Sequence, residues 1–557
     1  MHLNSPSLSH DEQSERSKKR LVAVLGHLKP LGECKALHSI GIPSICSALP
    51  PVATLRRQLK VAIVGAGIGG ASLAQWLREV FAEAVDLTVF SDGIVGGRCQ
   101  TIEFEDAKYE AGASIISELN EHFIAMMKRY GLREKSVKDI TFSPLGVFDG
   151  KQFVVHSVSP SSTRFAKLLS TLDLIRRYGF FSLRRLQQIA KGPQAPDFYN
   201  LYQLQSSGAA FSHPSDLLAS LGSDVVGLVE RSAEKWLVED KQIPPSLVHE
   251  LVTGGMRANY GGQSCADLHA LVGLVSVAGG IASRCFSVIG GNDQVPKRAL
   301  EAAAPRLITD MALKVTKKDA SCSTRGFSVH YGKSTSSNAT QETGTSSSSH
   351  DASGSDCQVE DFDVVVVAHP LERSLLEFEN CHVAPSRSSG KFQRCVAHFV
   401  KGVLRPEYFG VSRSDLPVEV LTTRDSVAPF YSIGLQYPVS AGAQEVQQIL
   451  SGALQGKPQV YKVFAPRVLS DDELSEIFSA GENEERALNA RSVGFYAYPT
   501  YEVPQKLHPF VLDTDGLFYI NAIEQAASAM EMSMISARNV ANLIVRWVDA
   551  RRQSDGF

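Results

Sequence analysis

Lys60-Val-Ala-Ile-Val-Gly-Ala-Gly-Ile-Gly-Gly-Ala-Ser-Leu-Ala-Gln-Trp-Leu77 carries an apolar strand into a glycine turn and out again into a helix. That order of elements opens a dinucleotide-binding βαβ unit. Gly65 allows a tight turn after Val61 to Val64, Gly67 leaves bare backbone for a pyrophosphate, and Gly70, with Gly69 beside it, lets the helix lie close to the strand. The free N–H groups and dipole of the helix start then favour negative charge. Ala74 and Leu77 continue the helix face, and a second apolar strand follows at Val85 to Phe90.

The residues after that second strand indicate which dinucleotide is bound. Thr88-Val-Phe-Ser-Asp-Gly-Ile-Val-Gly-Gly-Arg98 puts Ser91 where a ribose-binding carboxylate normally stands, and Asp92 reaches the ribose only if the strand end turns early. The Gly96-Gly97-Arg98 turn is more telling, because backbone and a guanidinium together suit a second stretch of pyrophosphate. Glu110-Ala-Gly-Ala-Ser114 follows, and its small residues Gly112, Ala113 and Ser114 permit close approach of a large flat ring. The series resembles the FAD site of the amine-oxidase-type flavoproteins.

The far end of the chain completes the same site. Leu517 to Ile523 is a short apolar strand, and from Glu524 onward Ala526, Met530, Met534, Ala537, Val540, Ala541 and Ile544 recur at helical spacing. A helix starting there would aim its positive end at the flavin edge where charge accumulates on reduction. Glu524, Ala529, Met530 and Glu531 are the expected contacts, and the apolar positions after Met534 read as core.

Val61 to Gly70, Val95-Gly-Gly-Arg98, Tyr109 to Ser114, Ile289-Gly-Gly-Asn292, Val364 to Leu371, Ala497-Tyr-Pro-Thr-Tyr501 and Ala522 to Ser533 stand in the order found in prenylcysteine oxidases, also called prenylcysteine or farnesylcysteine lyases. The resemblance spans about Lys60 to Trp547, and the Glu524 to Ser533 string is its most specific part. Two positions depart from the family pattern: Ser91, in place of an acid, and His369, in place of a small polar residue. The resemblance implies an α/β fold, a Rossmann-type FAD-binding domain with an interwoven α+β substrate domain.

It also implies FAD as cofactor and S-prenyl-L-cysteine, farnesyl or geranylgeranyl, as substrate. Hydride loss from a carbon that is both allylic and bonded to sulfur leaves a stabilised cation; water adds, and the adduct collapses to prenyl aldehyde and cysteine while O₂ becomes H₂O₂. The cofactor performs the hard step, so no catalytic triad is expected. Burying a fifteen-carbon tail contributes on the order of 10 kcal/mol before ordering costs, so the slot should be apolar. Tyr498 and Tyr501 are pocket candidates with a rigid-turn role as the alternative, and Arg257 and Arg394 are candidates for the carboxylate. Other flavin amine-oxidase relatives, acting on a polyamine, a carotenoid or a porphyrinogen, would share every glycine motif. A catalytically silent FAD-fold protein that binds a lipid or a partner would share them too.

Composition suits a chain with a large core: 557 residues, 43% apolar, net charge −3. No basic excess points to nucleic acid, nothing marks a metal site, and the longest uncharged apolar run, Leu271 to Ala282, is too short to span a bilayer, which leaves peripheral membrane association open. The expected organisation is a leader or targeting extension at 1–59, FAD-binding segments at 60–141, 260–385 and 505–550, a mainly helical substrate segment at 142–259, and a mixed-sheet one at 386–504. Helical spacing at Phe165, Leu168, Leu169, Leu172 and Ile175 supports the helical assignment. Leu21 to Leu28 is short for a secretory signal, and the resemblance implies a lysosomal, vacuolar or other endomembrane lumen. Polar Lys333 to Ser355 reads as a disordered insert between paired strands Phe327 to Tyr331 and Phe362 to Ala368, with Asn338 a glycosylation acceptor in a lumenal chain. Nine widely spaced cysteines include no Cys-x-x-Cys.

Overall fold

The computed structural model describes residues 55–91, 93–136, 144–156, 172–191, 197–280, 284–319, 326–333, 357–381, 391–481 and 487–555. Asp92, Phe165, Leu168, Leu169, Asn338 and nearly all of the leader and the polar insert lie outside these residues.

Val, Ile and Leu fill the central strands because both faces are covered. A six-stranded sheet runs in the order Arg306–Ile308, Val85–Phe90, Leu59–Val64, Val364–Val367, Leu517–Tyr519, Val511–Asp513. All neighbours are parallel except the last pair, which is antiparallel. Strands distant in sequence thus lie side by side, and the turn after Leu59–Val64 comes to face the start of the C-terminal helix Met530–Asp555.

A second, eight-stranded sheet follows Phe478–Ser479, Phe392–Leu404, Gln459–Ala465, Ser432–Leu435, Glu419–Thr422, Leu145–Phe148, Phe153–His156, with Asn489–Pro499 paired to Phe392–Leu404 off that path. One face packs a core around Phe148, Phe409, Phe430, Tyr461 and Val463. Its other face, through Ala397, Phe399 and Val460, receives Ile102, Phe104 and Tyr109 from the hairpin Thr101–Phe104/Ala107–Glu110. That hairpin joins the dinucleotide half to the larger sheet.

The segment 142–259 is mainly helical from residue 172 onward, after a strand pair, Leu145–Phe148 and Phe153–His156, whose Phe148 and Phe153 pack on one face of the sheet. Three expectations need correction. The strand Phe327–Gly332 pairs with Gln358–Phe362, whereas Val364–Val367 belongs to the six-stranded sheet. Asp363 separates the two strands, held by Arg57 at 2.6 and 2.7 Å and by the Lys60 N–H at 2.9 Å. That ion pair, with fully buried Leu59, also moves the start of the fold to before residue 60. Lastly, Glu524 does not begin a helix of α type: Ile520–Gln525 is a 3₁₀ turn, and the α-helix starts at Met530. No helix among the described residues is long and apolar enough to cross a membrane.

Candidate active site

Two glycine turns meet first. The Gly65 N–H donates to Phe90 O at 2.8 Å, and the Gly96 N–H to Ala66 O at 2.9 Å. Gly67 and Gly96 form a parallel bridge, and a Cβ on Gly97 would lie 3.3 Å from the Gly67 Cα. The helix Ile68–Phe81 begins at Gly67 with no side-chain cap and no acidic residue in its first turn, so its N–H groups present an anion-binding end. A Cβ at Gly70 would stand 2.0 Å from Gly65 O, which only glycine avoids. At Gly67 a Cβ would meet nothing within 4 Å: the space beside this backbone is open. Gly69 faces Ile520 Cγ2, at 3.1 Å from an added Cβ, which sets the first helix against the C-terminal segment.

Arg98 follows the second turn, and its guanidinium is committed to protein. It ion-pairs with buried Glu524 and donates to Ala497 O at 2.8 Å and Ser528 Oγ at 3.4 Å. The partner this structure gives the arginine expected at phosphate is thus a 2%-exposed carboxylate. Glu524 Oε1 also accepts from Asn521 Nδ2 at 2.9 Å, while its Oε2 and Asn521 Oδ1 are buried without a partner among the described residues.

Glu531 is likewise held by protein donors. Its carboxylate accepts from the His122 and Phe123 N–H groups at 2.8 and 3.0 Å and from the Tyr202 hydroxyl at 2.8 Å, capping the helix Glu121–Arg129. Burial pushes this acid up to about 7 despite three donors that favour its ionised form. Ala529 and Met530 remain half-buried where the C-terminal helix begins, with the Ser533 N–H donating to Ala529 O at 3.0 Å.

The segment 110–114 packs on the backbone of Arg98: the Ala113 N–H donates to Arg98 O at 3.1 Å, and a Cβ on Gly112 would lie 2.0 Å from that same oxygen. Half-buried Ser114 ends this run of small residues. Asn292, fully buried, fastens it, giving its N–H to Glu110 Oε1 at 2.7 Å and its Nδ2 to Ala113 O at 3.0 Å. Lys462, a buried cation in strand Gln459–Ala465, donates to Glu110 O at 3.0 Å. Burial raises the Glu110 acid to about 7 and lowers the Lys462 amine to about 8. Glu110 Oε2 is another buried atom without a partner among the described residues. Lys462 escaped sequence reading, although a lone cation in an apolar strand was the signal for it.

Aromatic rings line the next stretch. The Tyr501 hydroxyl donates to Glu524 O at 3.1 Å and accepts from the Ser528 N–H at 3.0 Å, so this buried ring braces the 524–528 turn and does not serve as a pocket wall. Half-buried Tyr498 stays available; its ring centroid lies 5.1 Å from that of Tyr260, which in turn lies 5.9 Å from that of Tyr501. Beyond Tyr260, half-buried Arg257 donates to Thr422 Oγ1 at 3.1 Å and Gly262 O at 3.2 Å, and lies 5.6 Å over the Tyr431 ring. Arg394 is exposed at the sheet edge and does not join them. Ser91 is buried beside Ile308 O, and His369 bridges Val64 O and Ser374 Oγ at 3.1 and 2.6 Å, a structural role.

The prenylcysteine lyase family profile matches residues 162–556, and an NAD(P)-binding Rossmann-like domain profile matches residues 63–130. The chain belongs to the prenylcysteine lyase family. Prenylcysteine oxidase 1 of Bos taurus is 31% identical over 497 residues, covering 88% of this chain and 89% of that protein. Farnesylcysteine lyase of Arabidopsis thaliana is 32% identical over 499 residues, covering 87% and 88%. Among solved structures, the CLA-producing fatty acid isomerase from P. acnes superposes with TM-score 0.52 at 11% identity over 88% of this chain and 99% of its own. Cyclohexylamine oxidase from Brevibacterium oxydans gives TM-score 0.50 at 14% identity over 88% and 100%. These structural neighbours share the fold. Within the prenylcysteine lyase family frame, the glycine cradle, the Arg98–Glu524 pair and the 110–114 segment all belong to the chain's Rossmann-like part.

Proposed function

We propose that this protein is an FAD-dependent thioether oxidase that converts S-prenyl-L-cysteine, O₂ and water to prenyl aldehyde, cysteine and H₂O₂. Family membership over most of the chain carries this reading. The site fits the cofactor on structural grounds. Space is open beside Gly67 at an uncapped helix start, and the buried acceptors Glu524 Oε2, Asn521 Oδ1 and Glu110 Oε2 await hydroxyl or N–H donors of the kind a flavin and its ribityl chain carry.

FAD, when bound, supplies hydride acceptance and is regenerated by O₂. The chain's own residues do the rest. Gly65 to Gly70 and Gly96 to Gly97 hold the pyrophosphate by backbone. Arg98 and Glu524 neutralise each other and lock the second turn to the 524–528 segment, so the ring-binding walls keep a constant separation. Asn292 and Lys462 hold the 110–114 wall from behind. Tyr260 and Tyr498 pack ring against ring, and Tyr498 would offer apolar surface to a prenyl chain.

Purified protein should absorb in the visible flavin band. Anaerobic addition of S-farnesyl-L-cysteine should bleach that band, and air should restore it with release of H₂O₂ and farnesal. A band that keeps its intensity under nitrogen with the thioether present overturns the reading.

A further inference from the structure

We infer that Arg257 is the binding residue for the α-carboxylate of the substrate, with the Tyr431 ring as its platform. The inference deepens the proposed reaction and rests on it.

Several arginines of this protein meet carboxylates: Arg57 meets Asp363, Arg98 Glu524, Arg177 Glu250, Arg284 Glu134, Arg306 Glu360 and Arg467 Glu473. Arg257 meets none among the described residues, although it is half-buried. Its contacts orient it without neutralising it. Nε donates to Thr422 Oγ1, whose own hydroxyl donates to Tyr431 O at 2.8 Å, and Nη1 donates to Gly262 O. Burial draws the guanidinium below its usual value, with Tyr431, Asp267 and Asp425 working against that shift. A desolvated, oriented cation without a counter-ion is a site for an anion.

Its position suits the acid end of the proposed substrate. The turn after the helix Thr253–Asn259 is built against both neighbours. A Cβ on Gly262, at φ +87°, would stand 2.1 Å from Tyr431, and one on Gly261 would lie 3.6 Å from Tyr498 Cδ2. Ring contacts therefore run from the 524–528 turn through Tyr501 and Tyr260 to Tyr498, beside the 261–262 turn that Arg257 holds. A π-helical turn, Val248–Val252, leads directly into the helix that carries Arg257, an irregularity common beside functional sites. The planar fork of arginine can pair both oxygens of a carboxylate but gains little from a neutral ester.

The test compares S-farnesyl-L-cysteine with its methyl ester, using flavin-loaded wild type, Arg257→Gln and Arg257→Lys, with kcat and KM read from H₂O₂ release. Wild type should prefer the acid. In Arg257→Gln the KM for the acid should rise roughly 10- to 100-fold with kcat held within a few-fold, so the acid-to-ester ratio of kcat/KM collapses. Arg257→Lys should recover part of that ratio, and it decides the matter alone if the Gln variant does not fold. Acid and ester are read on the same preparation, so a general loss of fold moves both and leaves the ratio in place. An unchanged ratio in the variants, or a wild type indifferent to the ester, overturns the role of Arg257 while the oxidase reading stands. A wild type that oxidises neither compound overturns the oxidase reading and this inference with it.

Discussion

Gly67 and Gly70 show how differently two glycines of one motif are constrained. Gly70 abuts Gly65 O, so any side chain there breaks the packing of helix on strand. Gly67 has φ −69° and ψ −179°, an extended conformation open to every residue, with nothing within 4 Å of an added Cβ. Gly67→Val should therefore fold with a melting temperature near that of wild-type apoprotein but retain no flavin, because the isopropyl group occupies the pyrophosphate's place. Absorbance at equal protein concentration checks this, and an FAD-replete variant contradicts the placement. The motif itself was legible in sequence because its strand, turn and helix are local. The partner of Arg98 was not, because Glu524 lies 426 residues away and competes with phosphate for the same cation.

The helix Glu121–Arg129 owes its start to a residue on another element. Glu121–Arg129 has no side-chain cap of its own from Asn120, and Glu531 on the C-terminal helix supplies one by taking two of its N–H groups. The cap has a pH signature. Glu531 moves from an ordinary 4.5 up to about 7 in the folded protein, so the folded state holds this proton more tightly than the unfolded one. The associated stabilisation is present at low pH and is lost as pH rises from 4.5 through about 7. Glu531→Gln, which puts two amide hydrogens where the protonated acid has one hydroxyl, should cost about 1 kcal/mol at about pH 5. The margin between wild type and variant should narrow as pH rises. Urea unfolding of both proteins across that range checks the sign; a margin that widens would show Glu531 ionised throughout. His122 titrates differently, lowered to about 4 by burial, and its contribution cancels in the comparison.

At the scale of the molecule, the proposed cofactor site is assembled from Gly65 to Gly70, Gly96 to Arg98, Glu110 to Ser114 and Glu524 to Met530, segments brought together by parallel pairing of Leu59–Val64 with Val364–Val367 and of that strand with Leu517–Tyr519. A ligand that touches all of them stabilises the fold by mass action. At a hundredfold excess over its dissociation constant, FAD should add about 2.7 kcal/mol to the unfolding free energy of apoprotein. The urea midpoint should move upward accordingly, and a midpoint indifferent to FAD would mean these segments do not share one ligand. Aromatic packing across the molecule separates the two tyrosines singled out in sequence: Tyr501 is drawn inward to Glu524 and Ser528, while Tyr498 stays half-buried against the unanticipated, buried Tyr260.

Sequence alone determined the parts whose physics is local: the strand–turn–helix at Lys60 to Leu77, the Gly-Gly-Arg turn and the mixed-sheet character of 386–504. Each rests on periodicity or backbone sterics within a few residues, whereas the family resemblance that names a chemistry rests on the order of motifs along the chain. Tertiary structure decided which charges neutralise each other, where the last helix starts, that the segment after residue 144 begins as sheet, and that half-buried Arg257 meets no carboxylate among the described residues. Those outcomes depend on groups hundreds of residues apart competing for the same partners in a desolvated interior, and no local pattern encodes which partner wins.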